Sequence, residues 1–388
     1  MKGLAHHRCA ARALVFLALM AGTGAGVAAE SCSGAAAAAG WKAPAVRSAS
    51  ATLDFGAFID TLESERAVFV GEAHDRYVHH LNQLEVICGL HVRGVALAVG
   101  MEFFQQPYQD ALDAYVAGDI GIDALLERTD YFTRWGFDFR LYAPILRFAR
   151  EHRVRLIALN APSEIVRKVG QGGFEALSGE DRAWVPADME PADEDYRARL
   201  REAFDQHPEN EQRSFERFVD VQLLWDEAMA ERAARHLRDH PEQRLVVLAG
   251  EGHIAFRSGI PARVARRVDA TLVTVVQSDD AGDDSHPPDA ADYRLRTAAI
   301  ELAPPGRLGV MIETTDNGVE IRSMIHGSAA RAAGLAEGDR LVEVAGRAVE
   351  DFEDVKIVLW DKRPGESVTV RAERPGESRT LERRVQLR

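Results

Sequence analysis

Two stretches of this chain repeat one pattern that chemistry can use. The apolar run Ala67-Val68-Phe69-Val70 ends in Gly71-Glu72-Ala73-His74, and Leu245-Val246-Val247-Leu248-Ala249 ends in Gly250-Glu251-Gly252-His253. Each places carboxylate and imidazole groups just past an apolar strand. Parallel strands release their following loops at one sheet edge, which is where open α/β sheets bind ligands. Three further apolar runs end in polar groups of use there: Glu102, Asn160 and Gln277. Converging carboxylates and imidazoles suit a metal, a haem or acid–base catalysis. A divalent transition metal would draw on Glu72, His74, Glu251 and His253, with Glu72 or Glu102 as base toward a metal-bound water. A haem or similar ligand would draw on His74, Glu102, Asn160 and His253. The plainer reading also stands: Gly71 and Gly250 as turn residues, Glu72 and Glu251 as helix caps.

An aromatic cluster follows: Tyr131, Phe132, Trp135, Phe137 and Phe139. It reads either as core packing or as the wall of a flat apolar ligand, with Tyr131 or Tyr142 supplying a phenol, a group able to ligate ferric haem. Tyr196 and His207, in a charged stretch, are further candidates.

The elements that must position these groups alternate. Strands at 67–70, 94–99, 155–160, 245–249 and 271–276 are separated by helical periodicities, and residues 293–297 suit a returning edge strand. Continuous apolar runs fit parallel strands covered on both faces. The expected fold is therefore α/β, with a mainly parallel sheet, flanking helices and a helical cap inserted between the third and fourth of these strands. A small β-rich module follows, with short strands near 308–313, 318–324, 340–344 and 367–372 and helices near 329–333 and 351–360.

The expected organisation is a signal peptide at 1–29, a flexible tether at 30–50, the α/β domain at 51–298, a linker at 299–304 and the β-rich domain at 305–388. The chain has 388 residues, 46% of them hydrophobic, enough for two cored domains. Its net charge of −14 argues against nucleic acid and anionic membranes as main partners. The short apolar run 13–20 after a basic start reads as a secretory leader. Cleavage after Ala29 yields a soluble exported protein, in the periplasm or at the outer membrane; a lipid anchor on Cys32 is the alternative. Of the three cysteines, Cys9 leaves with the leader. Cys32 and Cys88 are not expected to pair, and Cys88 reads as a small buried apolar residue.

The first domain resembles the ChaN-like family of haem-binding uptake proteins, within the superfamily of Tiki, TraB and erythromycin esterase proteins. The resemblance rests on Val70-Gly71-Glu72-Ala73-His74, Gly100-Met101-Glu102-Phe103-Phe104, Leu159-Asn160-Ala161-Pro162, Gln222-Leu223-Leu224-Trp225-Asp226-Glu227 and Gly250-Glu251-Gly252-His253. It implies haem binding in iron acquisition, a tyrosine ligand (Tyr131 or Tyr196 here) and a homodimer. The wider superfamily implies a rival: a metal-dependent protease- or esterase-like hydrolase using Glu72, His74, Glu102 and His253. Glu251 departs from the Gly-Asn-Gly-His usual at that site.

The second domain resembles PDZ modules, on Ile325-His326-Gly327-Ser328-Ala329-Ala330 through Gly334-Leu335-Ala336-Glu337-Gly338-Asp339-Arg340-Leu341. The resemblance implies capture of a peptide or protein C-terminus by strand addition. Leu308, Gly309 and Val310 would receive the carboxylate, and Val355 would line the side-chain pocket.

Overall fold

A computed structural model describes residues 31–205, 214–279 and 286–388. The expected leader and His207 lie outside the described residues.

The first sheet has eight strands: β1 (Ala45–Ser48), β2 (Thr52–Leu53), β3 (Ala67–Glu72), β4 (Leu97–Gln105), β5 (Arg155–Asn160), β6 (Arg244–Gly250), β7 (Leu272–Ser278) and β8 (Tyr293–Arg296). Their order is β2-β1-β8-β7-β3-β6-β4-β5. Neighbours from β8 to β5 run parallel, and β1 and β2 close one edge antiparallel. Every residue of β3 and β4 is buried, because helices cover both faces of a parallel sheet. One face packs the helices Phe55–Leu62, Tyr77–Val92 and Ala143–Glu151. The other packs the long helix Phe215–Asp239 through Met229, Ala230, Ala233, Ala234 and Leu237, a stripe at helical spacing. The start of that helix and the helix Glu194–Asp205 form a separate small cluster around Tyr196, Leu200, Val219 and Leu223. This is the cap expected from the insertion.

Three expectations are corrected. The stretch 30–50 is no free tether across its described part: the helix Gly34–Ala38, buried Trp41 and strand β1 pack on the core, and the Trp41 indole donates to Asn82. Residues 293–297 are not the edge, because β1 pairs outside β8. Cys32 and Cys88 form a disulfide, which also occupies the sulfur that a lipid anchor needs. Buried Glu85 accepts from the Cys32 and Ser33 backbone N–H groups and fixes the segment beside that bond.

The second sheet is antiparallel, in the order β14-β13-β11-β10-β9, with β12 paired to β11. Its strands are β9 (Val310–Thr315), β10 (Gly318–Met324), β11 (Arg340–Val344), β12 (Arg347–Ala348), β13 (Ser367–Glu373) and β14 (Leu381–Gln386). The helix Phe352–Leu359, opened by an Asp351 capping box, faces two ways. Val355 belongs to this domain's core, while Ile357 belongs to the core of the first. Trp360 stacks edge-on to Phe139 at 5.0 Å and donates to Asp123. Arg347 pairs with Glu127. The second domain is thus docked on the α/β domain through a shared apolar seam with a polar rim.

Candidate functional site

Strand order brings the two Gly-Glu-x-His copies side by side. β3 and β6 are parallel neighbours, with Gly71 opposite Ala249 and Glu72 opposite Gly250. The copies are therefore offset by one residue. Side chains alternate with a period of two, so an offset of one reverses the face. Glu72 points into the site, while Glu251 pairs with His286 at 3.2 Å. The four residues expected to hold a metal are not brought together. Among the described residues no group of three or more His, Cys, Asp or Glu could hold a metal ion.

Glu72 is buried and satisfied on both oxygens. It accepts from Gln83 at 2.8 Å and from the Tyr142 hydroxyl at 3.2 Å, meets His74 Nδ1 at 2.8 Å, and has His80 Nδ1 at 3.4 Å. Burial alone would raise its pKa, but His80 and His74 hold it well below the usual carboxylate range. His74 is thereby oriented: Nδ1 faces Glu72, and its partly exposed ring leans on Trp135 at 5.0 Å and Phe137 at 4.8 Å. Burial works against its charge, yet the bond to Glu72 and the charge of Glu102 raise its pKa above the ordinary value.

Glu102, from β4 on the far side of β6, accepts from the Gly250 N–H at 2.6 Å. Its other oxygen stands 3.5 Å from His253 Nε2. His253 Nδ1 meets Asp226 at 2.7 Å, and Tyr196 donates to the second Asp226 oxygen at 2.6 Å. Arg263 lies over the Tyr196 ring. Burial opposes the imidazolium, but Glu102 and Asp226 outweigh it and raise the His253 pKa to about 9. At neutral pH His253 is therefore a cation between two carboxylates. A Cβ on Gly250 would come within 2.9 Å of His74 Cε1 and 3.5 Å of Glu102, so the two halves meet over this glycine.

The remaining expected residues have other tasks. Asn160 clamps backbone, donating to the Glu102 carbonyl and accepting from the Ala161 N–H. Gln277 donates to the Gly71 carbonyl. Tyr131 is 1% exposed, packed on Phe104 and Phe139, and its hydroxyl donates to the Phe137 carbonyl. Tyr196 and Tyr142 are likewise buried, with their hydroxyls engaged. None of the three turns a free phenol toward solvent, and burial raises the pKa of all three.

Asp226, His80 and Gln83 enter the site unforeseen. Asp226 lies three and four residues before buried Met229 and Ala230, so its place on the inward stripe was visible in the helical spacing. His80 and Gln83 share a helix face at i, i+3. That helix is buried almost all round, which hides any polar stripe from a periodicity argument. Buried Glu227, beside Asp226, holds architecture: Arg263, Arg266, Arg267 and the Glu190 N–H converge on it.

The chain belongs to the haem-binding uptake family of the Tiki superfamily, ChaN, whose sequence model matches residues 58–264. A PDZ domain model matches residues 306–385. The solved structure reporting cofacial haem binding to ChaN of Campylobacter jejuni superposes with a TM-score of 0.53 at 17% identity, covering 66% of this chain and 96% of that one. A mutant erythromycin esterase, EreC, in its open conformation superposes with a TM-score of 0.38 at 14% identity, over 67% of this chain and 82% of that one. The chloroplastic protein RETICULATA-RELATED 5 of Arabidopsis thaliana is 23% identical over 245 residues, 57% of this chain. The chain spans about a third of the length of that curated relative, since the match covers 32% of it.

Proposed function

We propose that this is an exported protein that binds haem at the β3–β6–β4 strand ends for iron acquisition, and whose PDZ domain recruits a protein C-terminus. One observation carries the haem reading. His74 is held through Nδ1 by buried Glu72, its partly exposed ring packs on both Trp135 and Phe137, and the chain belongs to a haem-binding family. A histidine anchored through one nitrogen to a carboxylate is the usual setting of a metal-ligating imidazole. Trp135 and Phe137, tilted 51° to each other, supply apolar surface beside that imidazole, the contact a porphyrin face takes. His74 would hold a bound haem through its free ring nitrogen, and the haem would supply an iron centre for that nitrogen to ligate. The residues therefore fit haem through His74, with the engaged tyrosine hydroxyls in supporting positions. The Cys32–Cys88 disulfide supports export, because such bonds persist in oxidising compartments. No helix among the described residues is long and apolar enough to cross a membrane.

The hydrolase reading has the Asp226–His253–Glu102 row in its favour. A general base must accept a proton near working pH, and His253 already holds one up to about pH 9. The haem reading is preferred because the family model that matches this chain is that of a haem-binding family. Its test is a haemin titration of the purified chain followed in the Soret band, at low and high protein concentration to allow for a dimer. A saturable shift that weakens at least tenfold in His74→Ala is expected. No shift at either concentration sinks the reading.

A further inference from the structure

The peptide groove of the second domain is not built by that domain alone. It runs between edge strand β9 and the helix Phe352–Leu359, and it encloses a cavity of about 570 Å³. Its opposite wall comes from the α/β domain, from Phe132 in the short helix Tyr131–Arg134 and from Gly136, Phe137 and Asp138 in the loop after it. That wall is tied to the helix Phe352–Leu359 directly, by the Thr133 N–H donating to Glu353 at 2.7 Å. Trp360, at the helix end, fixes the docking against Phe139.

The surface of the groove says what it takes. Six large apolar side chains stand exposed among the described residues, and three of them, Met311, Ile325 and Phe352, line this groove. Clustered exposure of this kind marks a docking site. β9 is the last strand of its sheet, so its outer edge is open to an added strand. In a chain of net charge −14, the groove carries two cations, Arg307 at the end where Gly309 turns with positive φ and Lys356 along the helix, against one carboxylate, Asp138, which is paired with Arg140. That polarity matches a terminal carboxylate.

We propose that the occupant is the apolar C-terminus of another protein, bound between both domains, with Phe132 and Phe137 of the α/β domain contacting it opposite the PDZ helix. The inference rests on the reading of the second domain as a C-terminus binder and adds the second wall. A strand laid on β9 alternates its side chains, and the loop closes the groove against that strand. Phe137 gives the wall a second consequence, since its ring also packs on His74. The loop thus stands between the peptide groove and the strand-end site.

The test uses the full chain and fluorescein-labelled hexapeptides ending in Val, Leu, Ile or Phe, each as free acid and as C-terminal amide. A photo-crosslinking phenylalanine is placed at each of the last four positions in turn. Selective binding of free acids, with adducts on residues 132–138 as well as on residues 306–360, is expected. Phe132→Ala is expected to weaken binding about fivefold or more, and Phe132→Leu to restore most of it. If no free acid binds, or amides bind equally, the C-terminus reading fails and the inference falls with it. If free acids bind selectively but adducts stay within 306–388 and Phe132→Ala binds like wild type, the two-domain groove alone is overturned. Crosslinking needs no variant, so it decides the matter even if Phe132→Ala misfolds.

Discussion

The row Asp226–His253–Glu102 makes a quantitative prediction about pH. His253 is almost fully enclosed, with Asp226 at 2.7 Å on one nitrogen and Glu102 at 3.5 Å from the other. Its pKa of about 9 lies well above the ordinary 6.5. A group that holds its proton more tightly folded than unfolded adds stability that is fully present below the unfolded pKa. That contribution fades as pH rises through the folded value. The window is therefore pH 6.5 to about 9, and at about 1.4 kcal/mol per pH unit the total is roughly 3 kcal/mol. Asp226→Asn leaves the shape but removes one of the two charges. The variant is expected to lose about 2 kcal/mol at pH 6, where the broken pair matters most, and much less at pH 10. Its loss of stability between pH 6.5 and 9 is expected to be correspondingly shallower. Urea unfolding of both proteins across this range measures the slopes, and the ring 13C shift of His253 reads the titration directly. A wild-type His253 midpoint near 6.5, or identical slopes in the two proteins, would refute the reasoning.

Two further predictions follow from single contacts. Gly250→Ala keeps ordinary backbone angles, since Gly250 sits at φ −53 and ψ 140, but its methyl would meet His74 Cε1 at 2.9 Å. Haemin affinity is expected to fall about tenfold or more, with a stability change under about 1.5 kcal/mol because the partly exposed His74 ring can yield; titration beside thermal melting separates the two effects. Cys88→Ser opens a link across 56 residues, and the chain-entropy relation gives a loss of about 4 kcal/mol, to be read as a matching fall in urea midpoint on adding reductant to wild type but not to the variant.

Much of the site was legible because strand and helix periods are local. The apolar runs ending in Glu72, Glu102, Asn160, Glu251 and His253 do emerge from neighbouring strands of one sheet. What local patterns carry poorly is the partner of each polar group. In the sequence Tyr131 and Tyr196 read as phenols for a ligand, but burial turns their hydroxyls to the Phe137 carbonyl and to Asp226. Cys32 lies 56 residues from Cys88, and its pairing depends on Trp41, Val46 and the Glu85 bonds drawing the early segment onto the core.

By itself the sequence determined the alternation that makes a parallel sheet, the strand ends that bear the chemistry, and the glycine pattern of a PDZ module. These depend on residues within a few positions of each other, where backbone geometry alone sets the period. Only the tertiary structure decided which copies meet, that a one-residue offset excludes Glu251, that Asp226 from a distant helix charges His253, and that Phe132 and Phe137 wall a groove belonging to another domain. Those outcomes depend on strand order, register and domain docking, which are set by burying the whole apolar surface at once rather than by any one stretch of chain.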